Sequence, residues 1–148
     1  MAFEREFQVA WEHLDANGHA ANTAFMQFAI NTRFLYFSSL GFTPADFAKH
    51  HIGPVVRRDE VDYFREVRFQ DRVSVNLRLA GLAQDGSRFR LVNEIRRGDG
   101  ELAARITTTG GWFDLGARRL VEPPPALADA MASLERTDDF EVLPSSLR

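Results

Sequence analysis

The sequence predicts an α+β fold in which a five-stranded antiparallel sheet wraps around one long, buried helix. Two observations predict it. One long segment with helical periodicity is apolar nearly all round, and four β-like segments follow it, separated by hairpin turns. A sheet and a helix packed together form two layers that share one core. We expect a single domain over residues 1–148, with a loose polar tail at about residues 136–148.

The first predicted strand runs from Phe3 to Trp11. Phe3, Val9 and Trp11 fall on one face and acidic or amide side chains fall on the other, which is the period of two typical of a half-buried strand. A polar turn containing Asp, Asn and Gly follows this strand and leads into the helix.

The predicted helix begins at Asn22 or just before it and extends to about Leu40, where Gly41 ends it. Apolar side chains form stripes on two of its sides, as in a buried helix. The plainly polar exceptions are Gln27, Asn31, Arg33, Ser38 and Ser39. Because one sheet covers only one side of a helix, a second subunit is the simplest cover for the other.

Alternating apolar residues predict the four later strands, and two glycine-containing turns join three of them as hairpins. The strands are expected at residues 55–69, 73–79, 89–95 and 102–115, with turns at residues 84–87 and 98–100. Asn93 lies on the apolar face of its strand, either satisfied in the core or facing an interface or substrate. Three prolines, residues 123–125, then precede a short helix predicted over residues 126–134.

Composition excludes several classes of function. A formal net charge of −3 argues against a general nucleic-acid-binding protein. The absence of cysteine excludes disulfides, thiolate metal sites and a catalytic cysteine. No signal-peptide pattern and no run of about 18 apolar residues occurs. We therefore expect a cytoplasmic protein that does not enter a membrane.

The segment from Val9 to Asn22, VAWEHLDANGHAAN, resembles the signature of the 4-hydroxybenzoyl-CoA thioesterase-like family. That signature is a strand ending near an Asp, then two residues, a Gly, often a His, and an Asn that leads into a long helix. Residues 61–65 and 69–73 look like the family's second strand and its turn into the third. The resemblance implies a hotdog fold, a homodimer with a continuous sheet, often a homotetramer, and active sites at the subunit interface.

The resemblance also implies hydrolysis of an acyl-CoA, or less often an acyl-carrier-protein, thioester. We expect no cofactor and no metal. The family's catalytic Asp corresponds to Asp15, and its carbonyl-polarising backbone N–H lies near Asn22. A carboxylate can attack a thioester or activate water, and helix N-terminal N–H groups can stabilise the oxyanion. The predicted catalytic residues are Asp15, Asn22 and His19, and the predicted substrate-binding residues are Gly18, Phe25, Phe64 and Arg65.

Other interpretations of these residues remain open. Asp15 also suits a simple turn. Residues 23–40 of the predicted helix contain no Asp or Glu at all, however, which leaves Asp15 as the only acidic candidate near the helix start. His19 suits either a positioning or a proton-transfer role. A hotdog enoyl-CoA hydratase or dehydratase is an alternative, but its Asp-x-Asn-Pro-aliphatic-His pattern is one residue longer and contains a Pro. A non-catalytic acyl-binding module is the second alternative.

Overall fold

A computed structural model describes residues 1–147 of the chain. Three helices and eight strands follow one another, with a short 3-10 turn at Trp11–His13 after the first strand. The elements are β1 (Glu4–Gln8), α1 (Asn22–Ser39), α2 (Pro44–His50), β2 (Ile52–Tyr63), β3 (Arg72–Asn76), β4 (Arg78–Ala83), β5 (Arg88–Arg97), β6 (Leu102–Asp114), β7 (Arg119–Val121), α3 (Pro125–Ala132) and β8 (Arg136–Leu143). No helix within residues 1–147 is long and apolar enough to cross a membrane.

All eight strands belong to one sheet, and every pair is antiparallel except β4 with β8. β5 lies at the centre, between β6 on one side and the successive strands β3 and β4 on the other. β1 extends the sheet beyond β3, and β2 pairs with β6 alone, so β2 forms an edge. The α+β prediction is confirmed, but the sheet has eight strands rather than five.

The three additional strands have different origins. The predicted strand over residues 73–79 is divided at Leu77 into β3 and β4, and β7 is a short return strand on β6. The third is β8, which occupies the segment that we expected to be a loose tail. That prediction is wrong for residues 136–143, because their backbone pairs with β4 and Leu143 is buried.

Helix α1 packs one apolar side against the sheet as predicted and leaves Ile30, on its other apolar side, 41% exposed. It begins at Asn22 with Ala21 as its N-terminal cap residue. Phe25, Phe28 and Ala29 are buried with Val73 and Ile95 of the sheet. Towards its other end, the aromatic residues of α1 join a second buried group with α2 and β6, which contains Tyr36, Phe37, Phe47, Phe89 and Trp112. These two groups position the N-terminus of α1 at the end of β1.

One prediction about an individual side chain is wrong. Trp11 was expected on the buried face of the first strand, but β1 ends at Gln8 and the Trp11 side chain is 75% exposed on the 3-10 turn, against Phe69.

Arg33, one of the plainly polar residues of the helix, is only 7% exposed and points into the core. Its Nε donates to Asn93 Oδ1 (3.0 Å) and its Nη2 donates to Thr108 Oγ1 (2.7 Å).

Candidate active site

The loop between β1 and α1 is tied down by backbone hydrogen bonds on both sides of Asp15. The Asp15 amide donates to His19 O (2.9 Å), the Gly18 amide donates to Asp15 O (3.1 Å), and the Ala21 amide donates to His13 O (2.8 Å). Gly18 takes φ +75°, a left-handed conformation that favours glycine, and no atom lies within 4 Å of where its Cβ would be. The loop therefore holds Asp15 at a fixed place beside the start of α1.

The Asp15 carboxylate is exposed, and its Oδ1 accepts a hydrogen bond from the Asn17 amide at 2.8 Å. This contact is an Asx turn, so the turn interpretation of Asp15 describes the local geometry correctly. The turn leaves most of the hydrogen-bonding capacity of the carboxylate unused, because an ionised carboxylate has about four acceptor positions. The side chain remains free to face a ligand.

Six of the seven predicted site residues line one open groove. It contains Asp15, His19, Asn22, Phe25, Phe64 and Arg65, together with Ala20, Tyr63 and Glu66. Gly18 belongs to the same loop but does not line the groove. The end of β2 and the residues after it form the opposite wall, where the Phe25 and Tyr63 rings meet edge to face at 5.6 Å.

The N-terminus of α1 opens into this groove without a side-chain cap. Ala21 caps the helix with backbone only, and the Ala24 amide bonds to Ala21 O at 2.9 Å. The first amides of a helix have no partner within the helix, and the helix dipole adds partial positive charge there. The amides at Asn22 and Thr23 are therefore donors available to a negatively charged oxygen in the groove.

His19 is held by a carboxylate that the sequence analysis did not single out. Its Nε2 lies 2.9 Å from Glu66 Oε2, and the other oxygen of Glu66 accepts from Arg68 Nη2 at 2.7 Å. The hydrogen bond from Arg68 is the largest effect on the pKa of Glu66 and lowers it; burial, the second largest, opposes this, and the charges of His19, Arg68 and Arg97 lower the pKa further. Glu66 is therefore ionised near neutral pH and can orient the His19 ring.

The remaining histidine of the loop has a structural role. His13 is half-buried, with its ring edge-on to Phe28 at 4.8 Å. Its Nδ1 accepts a hydrogen bond from the Ala10 amide at 2.8 Å. Among residues 1–147, no group of three or more His, Cys, Asp or Glu side chains is arranged to hold a metal ion.

A polar cluster of Arg33, Asn93, Thr108 and Asp59 lies deeper along α1, with Asp59 exposed and the other three side chains buried. All of its members except Asn93 were missed as candidate functional residues. Arg33 donates to Thr108, whose Oγ1 donates in turn to Asp59 Oδ1 at 2.5 Å. Burial lowers the pKa of Arg33 to about 10, and the negative charge of Asp59 opposes that shift. The one sequence signal for this cluster was Asn93, a polar residue on an apolar strand face, which accepts from Arg33.

Residues 9–131 match the model of the thioesterase-like superfamily. The chain belongs to this superfamily. Membership confirms the family resemblance in the sequence and the enzyme class that it implies, a thioester hydrolase.

Solved structures confirm the hotdog fold. A hypothetical protein from Staphylococcus aureus in complex with CoA superposes with a TM-score of 0.83 at 18% identity, covering 93% of this chain and 87% of that one. A 1,4-dihydroxy-2-naphthoyl-CoA thioesterase from Synechocystis gives 0.81 at 22% identity, covering 90% and 98%. A DHNA-CoA thioesterase from Staphylococcus aureus gives 0.80 at 21% identity, covering 88% and 89%. No curated protein sequence matched significantly.

Proposed function

We propose that the chain hydrolyses an acyl-CoA thioester in the groove beside the N-terminus of α1, with Asp15 as nucleophile or general base. The observation that carries this proposal is the position of Asp15 next to uncapped helix amides in a member of the thioesterase-like superfamily. The named neighbours that act on CoA thioesters, and the one in complex with CoA, support coenzyme A as the carrier.

In the proposed reaction, the thioester carbonyl oxygen faces the amides at Asn22 and Thr23. Attack on the carbonyl carbon moves negative charge onto this oxygen, where the amides and the helix dipole stabilise it. Either Asp15 attacks and forms a mixed anhydride that water then hydrolyses, or Asp15 takes a proton from an attacking water. In both routes the C–S bond breaks, the CoA thiolate leaves, and the acyl group is released as a carboxylate.

His19 and the basic and aromatic residues of the groove have supporting roles in this proposal. His19 fixes Asp15 through its backbone carbonyl, and Glu66 orients its ring for a positioning role in the groove. Arg65 makes no ion pair within residues 1–147, so its guanidinium is available to a phosphate of coenzyme A. Phe25 and Phe64 provide apolar contact for the substrate next to the reacting carbonyl.

Purified protein is expected to release free thiol from at least one acyl-CoA in a panel of aromatic, short-chain and long-chain substrates. A thiol-reactive dye measures the release, and the same acyl groups on acyl-carrier protein show which carrier is preferred. Hydration of an enoyl-CoA without thiol release would instead favour the hydratase. Binding without turnover across the whole panel would favour the non-catalytic module.

We further propose that the active form is a homodimer joined at the edge strand β2, and that two such dimers associate as a tetramer. β2 has twelve residues and pairs only with β6, and a long unpaired edge is a template for a further strand. Beside this edge, the apolar side chains of Ile30 and Val56 are 41% and 53% exposed. A second copy would cover both.

Analytical ultracentrifugation at micromolar concentration is expected to show a dimer or a larger species. Ile30→Glu should shift the protein towards monomer, because it places a charge on the exposed apolar surface beside β2. Asn31→Glu is the matched control, since it adds the same charge at the next position, which is already polar and exposed. A wild-type monomer, or equal effects of both variants, would contradict the β2 interface.

A further inference from the structure

A cavity of about 180 Å³ lies between α1 and the inner face of the sheet, separate from the Asp15 groove. Its walls are mostly apolar, with Phe34 and Phe37 from α1, Phe89 from β5 and Trp112 from β6. Arg33, Thr108 and Asp59 line it as well. Thr108 and Trp112 are four residues apart on β6, about 13 Å along a strand, so the polar cluster occupies one end.

A β-bulge in the edge strand places Asp59 at this cavity. Val56 pairs with Gly110, but the register then shifts by one residue, and Asp59 rather than Arg58 pairs with Thr108. Side chains alternate between the faces of a strand, so the extra residue exchanges a basic side chain for an acidic one on the inner face. The cation Arg33 and the anion Asp59 therefore face the cavity together, whereas without the bulge Arg33 and Arg58 would place two cations there.

The polar cluster has hydrogen-bonding capacity left over. A guanidinium has five N–H groups, of which Arg33 uses one for Asn93 and one for Thr108, and no other hydrogen bond within residues 1–147 involves it. Asp59 accepts only from Thr108, through Oδ1. Arg33 is buried, and buried polar groups are nearly always hydrogen-bonded, so its unused N–H groups have capacity left towards the cavity. Asp59 lines the same cavity but is exposed, so its remaining acceptor positions are open to a ligand or to water.

The chemistry of the two charges selects among ligand groups. A hydroxyl group can accept a hydrogen bond from Arg33 and at the same time donate one to Asp59. A carboxylate can only accept, and it would be repelled by Asp59. A pure hydrocarbon would leave the unused N–H groups of the buried Arg33 without a partner, which is costly.

The cavity also limits ligand size and lies in line with the proposed active site. Cavities of about 150 Å³ hold a benzene molecule, so this one fits a body of roughly seven heavy atoms. Both the groove and the cavity lie along the seam between α1 and β2. The groove includes Phe25 and Tyr63, and the cavity includes Met26 and Asp59 from the same two elements.

We propose that this cavity receives the acyl group of the substrate, and that Arg33 and Asp59 are specificity-determining residues that select a small acyl group carrying a hydroxyl. The assignment of the ligand as an acyl group rests on the proposed thioesterase function. The preference of the cavity for a hydroxyl group does not rest on that function, so it can be measured by ligand binding alone.

The binding test compares cyclohexanol with methylcyclohexane, which have equal numbers of heavy atoms. The Trp11→Phe variant leaves Trp112 in the cavity wall as the single tryptophan, so its fluorescence reports occupancy. Cyclohexanol is expected to bind about tenfold or more tightly than methylcyclohexane, because a hydrogen bond to a charged group contributes this much. Equal affinities, or tighter binding of the hydrocarbon, would overturn the proposal.

Further substitutions in the Trp11→Phe background show whether Arg33 and Asp59 cause the preference for a hydroxyl group, or whether it comes from the overall packing of the cavity. Arg33→Met should abolish the preference, and Thr108→Val should reduce it by disconnecting Arg33 from Asp59. Thr107→Val is the matched control, because the neighbouring threonine faces the opposite side of β6. If Arg33→Met fails to fold, Thr108→Val still tests the proposal. If Thr108→Val, and Arg33→Met where it folds, both keep the wild-type preference for cyclohexanol over methylcyclohexane, then Arg33 and Asp59 do not determine the selectivity and the proposal is wrong.

The turnover test uses short acyl-CoA substrates with a hydroxyl at successive carbons, each against its unsubstituted parent. One position should raise kcat/KM about tenfold or more, and Thr108→Val should lower this ratio while Thr107→Val leaves it intact. The ratio is independent of the fraction of active protein. If the enzyme hydrolyses acyl-CoA but does not prefer any hydroxylated substrate, the cavity does not hold the acyl group, and the proposed thioesterase function stands. If no thiol is released although cyclohexanol binds selectively, the result counts against the proposed thioesterase function instead.

Discussion

Asp15→Asn is expected to lower kcat for the best acyl-CoA substrate by about a hundred- to ten-thousand-fold, the usual contribution of a positioned base. The amide is neither a nucleophile nor a base at neutral pH. It is close to the carboxylate in size, and its oxygen can still accept the hydrogen bond from the Asn17 amide that forms the Asx turn. The loop should therefore keep its shape while the chemistry is lost. Thiol release under saturating substrate measures the effect.

Two observations separate this loss from damage to the fold. The variant should keep the wild-type melting temperature and oligomeric state, because Asp15 is exposed and makes no ion pair within residues 1–147. Asp129→Asn is a charge-matched control on the exposed surface of α3, far along the chain, and should keep full activity. Undiminished turnover in Asp15→Asn would exclude Asp15 as nucleophile or base and leave the Asx turn as its role.

Much of the fold was predictable because its signals are local. The helix from Asn22 depends on apolar spacing within one segment, and the hairpin turns at residues 84–87 and 98–100 depend on their own glycines. Gly86 and Gly100 indeed have positive φ values, where glycine is favoured. The grouping of Asp15, His19 and Asn22 was predictable for the same reason, since they lie within eight residues of one another.

The features that were missed depend on partners distant in the sequence. Arg33 is polar in isolation, and it is buried only because Asn93 and Thr108, at least 60 residues away, accept its hydrogen bonds. β8 has a polar sequence, and it is a strand because β4 offers it an edge. Periodicity within a segment carries no information about such partners, so Arg33 was not identified as a core residue and the segment of β8 was expected to be a loose tail.

The position of Asp59 could not be predicted from sequence periodicity either, because it depends on a β-bulge. Strict alternation along β2 from Val56 would place Arg58 on the inner face, and the bulge replaces it with Asp59. A bulge is determined by the fit between two strands, here β2 and β6, rather than by either sequence alone. The cavity cluster could therefore not be derived from the pattern of the edge strand.

Gly110→Ala is expected to destabilise the sheet strongly, although it adds only a Cβ atom. Gly110 lies on β6 opposite Val56, next to the bulge, and an added Cβ would lie 2.2 Å from Val55 O and 3.1 Å from the Phe89 ring. The first neighbour is a backbone atom, so β2 must move away from β6. Overpacking costs typically 1–3 kcal/mol or more, and about 3 kcal/mol lowers Tm by roughly 6–12 °C in a chain of this size.

Gly98→Ala is the matched control, because the nearest atom to its added Cβ is Arg72 O at 4.0 Å. Its melting temperature should stay close to wild type, so a large loss in Gly110→Ala alone reports the close approach of β2 and β6 rather than a general cost of replacing glycine. Moving β2 also moves Asp59 and the proposed dimer edge. Gly110→Ala should therefore weaken selective cyclohexanol binding together with stability, and a variant as stable as wild type would show that the two strands are further apart than the structure has them.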